Sequence, residues 1–266
     1  MSRCSSSNYE NQRALIEGEN VNLSEPNDAK SFIITMLQIT AAVIIIIFSC
    51  DFLSGVFIST MPDKTQKAVE TAISAGNSIS TKAVKDKKYI EKLEHLNYIK
   101  EKIIRQDKNL QGKSEFNISI IKNKDVNACV LPDGSIFFTT AAIDENYSEQ
   151  ELAFILAHEL GHYAHRDHLK TISRQLMIYA VFSFFGGNKA ASKTINSISN
   201  TASMSYSRSQ ERNADLYASE MLKKIYGTNQ GGIDFFNKLK QKENTPEFLY
   251  YFASHPSLNK RIELLK

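Results

Sequence analysis

Two histidines four residues apart, in His158-Glu159-Leu160-Gly161-His162, constrain this chain more than any other feature. Residues at that spacing stack on one face of an α-helix, so both imidazoles can aim at one divalent metal ion. Glu159 projects from a neighbouring part of the surface and can reach a water on the metal without being a ligand. The surroundings favour the helix. Ser148 and Glu151 form an S-x-x-E capping box, Leu152, Phe154, Ile155, Leu160 and Tyr163 recur at helical spacing, and no proline intervenes. Gly161 costs roughly 1 kcal/mol of helix propensity relative to Ala, and a small residue there leaves room for another segment to approach closely.

A catalytic metal of this kind takes three protein ligands and keeps one position open. Two residues can supply the third. His168 stands ten residues after His158, the H-E-x-x-H-x-x-G-x-x-H interval, but His165 occupies the position where glycine would let the helix stop and turn. Without that turn, His168 leaves the metal behind along the helix. Glu211 lies in a second amphipathic stretch, Ser209 to Ala218, with Asp215 one turn later, placed to accept the free ring N–H of a ligating histidine.

The order His158-Glu159-Leu160-Gly161-His162, Glu211-x-x-x-Asp215, Ser254-His255-Pro256 and then Arg261 resembles the HtpX/BepA/Oma family of gluzincin metallopeptidases, a group that includes the CAAX prenyl proteases. The resemblance runs from about Asn127 to the C-terminus. It implies one Zn(2+) per chain bound by His158, His162 and Glu211, with Glu159 as general base. It further implies Asp215 as a partner behind a ligand, His255 as a donor to the developing oxyanion, and Arg261 as a support for the His255 loop. His165 and His168 are not family ligands and read as a polar helix end.

Proteases commonly bind extended peptide along a sheet edge. Phe116 to Ile121, Val126 to Val130 and Ser135 to Thr139 read as strands, with Leu131-Pro132-Asp133-Gly134 as turn chemistry between the last two. Similarity to the family suggests that Gly134, Ser135, Ile136, Phe137 and Phe138 line the substrate cleft. A plain hairpin packed under the active helix is the competing reading.

Phe32 to Cys50 is apolar on every face over about 19 residues, roughly 28 Å as a helix, enough to cross a hydrocarbon core of ~30 Å. The polar stretch before it lacks the short basic character of a cleaved signal, which favours an uncleaved single-pass anchor. Ile47-Phe48-Ser49-Cys50 loosely resembles a lipobox, so lipidation at Cys50 is the alternative. With the N-terminus cytoplasmic, a bacterial-type inner membrane would present the catalytic domain to the periplasm. Cys4, Cys50 and Cys129 give no pairable framework, and Cys129 reads as a buried strand residue. Leu176 to Phe185 is a second apolar run, too short to span, that reads as a buried helix, with an interfacial segment as the alternative. Asn188 to Ser207, rich in Ser, Asn and Ala, has the composition of a flap over a cleft.

Thirty-two basic against twenty-nine acidic residues leave a net charge of +3, too balanced to argue for nucleic acid. The expected architecture is therefore α+β: a helix-rich, zincin-like domain with a small β-sheet, preceded by one transmembrane helix. Residues 1–31 read as a disordered polar segment, 32–60 as the anchor, 61–110 as helical linkers and 111–266 as the metallopeptidase domain. The expected partners are protein or peptide substrates and the lipid bilayer. Function resolves into a membrane-anchored zinc endopeptidase of membrane or envelope quality control, or a zinc-stabilised chaperone or binding module. The intact Glu159 argues for the first, because binding alone needs no base.

Overall fold

The computed structural model describes residues 28–76, 84, 86–113, 115–184, 205–242, 245–248, 251, 255 and 258–266. The expected N-terminal disorder and nearly all of the expected flap lie outside the described residues. Residues up to Ser49 form one unit, and Cys50 to Lys266 a second, contact-rich one. The boundaries expected at 60 and 110 therefore do not separate compact units.

Helix α1 (Asp28–Thr60) carries the apolar stretch, and its segment Ala29–Thr60 is long and apolar enough to cross a membrane. Its Ser and Thr hydroxyls bond to carbonyls three or four residues back, as in Thr40 to Met36, which leaves no polar group unpaid on the surface of an apolar helix. Helices α2 (Asp63–Gly76) and α3 (Lys87–Gln106) follow, as the apolar spacing of this Lys-rich region predicts. Leu96, Ile99 and Ile103 give α3 one buried stripe, which packs against the active helix.

Strands β1 (Ile118–Ile121), β2 (Ala128–Val130) and β3 (Ile136–Thr139) form a sheet in the order β1-β3-β2. β1 and β3 are parallel, with Ile118 opposite Ile136, while β2 and β3 form an antiparallel hairpin, with Cys129 opposite Phe137. The hairpin closes at Leu131-Pro132-Asp133-Gly134, where Gly134 takes φ 89° and donates to the Leu131 carbonyl. A short helix α4 (Thr140–Asp144) leads into α5 (Glu149–Ala164), which bears both motif histidines. Its N-terminus carries the full capping box: Ser148 accepts from the Glu151 N–H, and Glu151 accepts from the Ser148 N–H.

α5 is buried on nearly every face, from Glu151 to Tyr163. It lies among α3, β2, α6 (Asp167–Phe184), α7 (Arg208–Tyr226) and α8 (Gln230–Gln241). Helix α9 (Leu258–Leu265) closes the chain. Two close approaches set these crossings. A Cβ at Gly161 would meet Ala214 Cα at 3.2 Å, so the small residue inside the motif is what lets α7 lie against α5. A Cβ at Gly231 would meet the Gln150 backbone at 2.6 Å, and one at Gly232 the Phe154 ring at 2.6 Å. The core between them is built on Phe154, Phe235 and Phe236, with Phe138 and Phe248.

Three expectations are corrected here. α5 does stop after Ala164: Arg166 takes φ 57° and α6 starts at Asp167, so a non-glycine residue makes the turn. His168 is then buried rather than part of a polar helix end, stacked on Tyr163 with Nε2 3.6 Å from Glu70. The second apolar run is not a fully buried helix, because Leu176 is 47% exposed and Met177 to Val181 are half-buried or exposed.

Gly231→Ala forces a new atom onto α5 backbone that cannot rotate away. The overpacking should cost about 1–3 kcal/mol, read as an earlier midpoint in denaturant unfolding followed by circular dichroism.

Candidate metal centre

His158 and His162 project from adjacent turns of α5 and meet with Nε2 atoms 3.1 Å apart. α7 brings in Glu211 from the first turn after its own capping box, in which Ser207 and Gln210 exchange hydrogen bonds. Glu211 Oε1 lies 3.4 Å from His162 Nε2, and Oε2 3.7 Å from His158 Nε2. His255 adds Nδ1, 2.9 Å from Glu211 Oε1 and 3.4 Å from His158 Nε2. All four are buried, and their donor atoms lie within 4.8 Å of one another. Glu211 Oε2 accepts no aligned hydrogen bond. Two converging imidazoles and a carboxylate, all buried, form a nitrogen and oxygen donor set suited to a cation.

Carboxylates back both histidines. His158 Nδ1 lies 3.0 Å from Asp215 Oδ1, and His162 Nδ1 2.9 Å from Asp167 Oδ2. Each pairing turns the Nε2 lone pair toward the cluster and fixes the ring. Arg261, itself buried, grips Asp215 through Nε and Nη2, both at 2.7 Å, and brings Nη1 to 2.9 Å from Glu211 Oε2. The guanidinium also lies over the Phe236 ring, 4.7 Å from its centroid. Among the described residues Arg261 meets the two α7 carboxylates, and most of the loop that it was expected to support lies outside them.

The charges are strongly coupled. Burial would raise the Glu211 carboxyl, but the charges of His255 and Arg261 hold it well below the usual carboxylate range. Asp215 is lowered in the same way by Arg261. Burial alone lowers His162, yet its hydrogen bonds to Asp167 and Glu211 outweigh this and bring it up to about 9. His158 is lowered, chiefly by burial. Its neighbour Glu159 is buried, with Oε1 3.6 Å from His255 Nε2.

Three contributors were not foreseen. Asp167 stands five residues after His162 and reaches back only because α5 breaks at Arg166; the sequence signal was an acid opening a new helix. Tyr206 stacks parallel on His162, 3.9 Å between ring centroids, and Tyr251 tilts against His255 at 4.9 Å. Tyr206 directly precedes the Ser207 cap, a position where an aromatic is commonly a packing staple.

The expected substrate strand lies inside the sheet rather than at its edge. β3 is the middle strand, so Ile136, Phe137 and Phe138 have both backbone edges paired and their side chains buried. Gly134 and Ser135 do line a cavity, of about 530 Å³, with Phe116 and Tyr163. The open edge near the cluster belongs to β2. Burial and the nearby Glu159 carboxylate push the Cys129 thiol on that strand up to about 12. Leu131 bonds to Ser135 and Thr139 to Asn127. The alternation of an antiparallel pair therefore turns the N–H and C=O groups of Ala128 and Val130 outward. One residue earlier, Glu247 takes the Val126 N–H at 2.8 Å and closes that end of the edge.

Residues 92–266 match the sequence profile of Peptidase family M48. Over 62 residues the chain is 34% identical to Metalloendopeptidase OMA1, mitochondrial, of Bos taurus, a stretch that covers 23% of this chain. The match spans 12% of that relative's length.

With His162 raised to about 9, the metal-free protein carries a proton there at pH 7, and a ligating imidazole must shed it. Metal binding should therefore release about one proton at pH 7 and tighten as pH rises toward 9, read by calorimetry in buffers of different ionisation enthalpy. Asp167→Asn should weaken metal affinity about 10- to 100-fold in a chelator competition titration.

Proposed function

The chain belongs to peptidase family M48 and is a metallopeptidase, and on that premise we propose that it is a zinc endopeptidase anchored in a membrane by α1. The observation that carries the metal assignment is the triangle of His158 Nε2, His162 Nε2 and Glu211, with sides of 3.1, 3.4 and 3.7 Å. Zinc–nitrogen and zinc–oxygen bonds of about 2.0–2.2 Å in tetrahedral geometry require ligand separations of about 3.3–3.5 Å. The three separations bracket that figure, two of them lying about 0.2 Å outside it, and the two Glu211 distances belong to different oxygens of its carboxylate. An all-nitrogen and oxygen set of two imidazoles and one carboxylate is also the composition of a catalytic zinc site.

Zinc, when bound, supplies a Lewis acid that acidifies water and polarises a carbonyl oxygen. Glu159, buried beside the ligands but not aimed with them, takes the proton of the attacking water and returns it to the leaving amine. His255 donates from Nε2 to the oxyanion of the attacked peptide, a reading supported by its 3.6 Å distance from Glu159 Oε1. Asp215 and Arg261 hold His158 and Glu211 in register. An extended peptide adds to the outer edge of β2, pairing with Ala128 and Val130. Recognition through backbone groups suits a protease of broad sequence tolerance, and the family resemblance implies membrane or envelope protein quality control as its role.

Anchoring is supported by a helix with mean hydropathy 2.5 over its apolar window, none of it buried.

Glu159→Gln should keep stoichiometric zinc by atomic absorption while casein cleavage falls about 100-fold or more. Glu211→Gln should lose the metal and the activity together. Undiminished turnover in Glu159→Gln would end the mechanism.

A further inference from the structure

We propose that the apolar end of α6, Leu176 to Val181, enters the membrane leaflet in which α1 is anchored, giving the peptidase unit a second contact with the bilayer. The inference rests on the anchoring proposed above. Two ion pairs fix the direction of α6. Arg166, just before its first residue, lies 3.4 Å from Asp63, and Arg174 lies 3.4 Å from Asp51. As α6 advances from 166 to 174, its partners step back from 63 to 51, so α6 runs antiparallel to the end of α1. A cavity of about 370 Å³ is lined by residues of three helices, among them Ser54 and Ser59 of α1, Asp167 and Lys170 of α6, and Gln210 of α7, so the three segments are neighbours there.

Beyond Arg174, α6 continues from Gln175 to Phe184 without a charged side chain. At 1.5 Å per residue it extends about 15 Å past the Asp51–Arg174 pair, against the direction in which α1 enters this unit. In sequence, α1 carries no charge from Asp51 back to Lys30. Each helix is thus uncharged along the chain on one side of the residue it contributes to the Asp51–Arg174 pair. The charges of α6 (Asp167, Lys170 and Arg174) end at that residue.

The surface past Arg174 is not covered by protein among the described residues. Leu176 is 47% exposed, Ala180 is exposed, and Met177, Ile178, Tyr179 and Val181 are half-buried. In water such a face forfeits about 25 cal/mol for each Å² left wet. In a leaflet it does not. Interfacial elements reach roughly 5–10 Å into the acyl boundary, less than the length available here, and Tyr179 is a residue type favoured at that depth.

The chain contains no tryptophan, so a single introduced one reports its own surroundings. Tyr179→Trp and, as a second reporter, Leu176→Trp are made in the full chain and reconstituted in phosphatidylcholine–phosphatidylglycerol vesicles with plain or brominated acyl chains. Ile45→Trp reports the anchor and Leu216→Trp, on exposed α7 surface, reports water. Bromine should lower emission about twofold at 179, 176 and 45, and leave 216 unchanged. Quenching at 45 but at neither α6 position overturns the insertion and leaves the anchor standing. Protection of both α6 reporters from iodide without bromine quenching overturns it in favour of contact with a second copy. Absence of quenching at 45 as well removes the anchoring reading and this inference with it.

Discussion

The crossing of α5 over α7 is the constraint on which the site depends. His158 and His162 share one helix and can converge by spacing alone, but Glu211 must be delivered from a segment about 50 residues later. Delivery requires the two helix axes to come closer than ordinary side chains permit. Gly161 provides that, with Ala214 Cα only 3.2 Å from where its Cβ would stand. The propensity penalty of a mid-helix glycine is thus exchanged for contact between ligand-bearing helices.

Such a crossing gathers like charges in a dry place, and the surrounding residues answer that problem. Glu211 and Asp215 are two buried carboxylates one turn apart, and Arg261 reaches both from α9. Removing the guanidinium would leave two buried carboxylates to the histidines alone, so the cation serves the cluster's solvency as much as its geometry. The histidines are braced from opposite sides, His158 by Asp215 on α7 and His162 by Asp167 on α6. Three helices thereby register on one point. Rotation of any one would misaim a lone pair.

Much of this was legible in local sequence. The capping boxes at Ser148 and Ser207, the turn at Gly134 and the histidine spacing are short-range patterns whose physics is complete within a few residues. What escaped depended on tertiary placement. Asp167 was invisible because nothing in His165-Arg166 announces a left-handed turn; Arg166 adopts φ 57° where a glycine would have been the signal. His168 looked polar and terminal, yet that turn folds it inward against Tyr163 and Glu70. Strand order cannot be read from alternation, so nothing in the sequence shows that Ile136 to Phe138 lie on the central strand while Gly134 and Ser135 stay in the turn. The apolar run of α6 was assigned to a core because composition reports hydrophobicity and not what lies opposite.

The central claim is that a zinc ion is held by nitrogen and oxygen atoms drawn from two helices. X-ray absorption at the zinc edge of the purified, metal-loaded chain tests it most directly. The account predicts a first shell of light atoms only, at about 2.0–2.1 Å, with the outer-shell scattering of at least two imidazoles. A sulfur scatterer at about 2.3 Å, or a shell without imidazole, would contradict it.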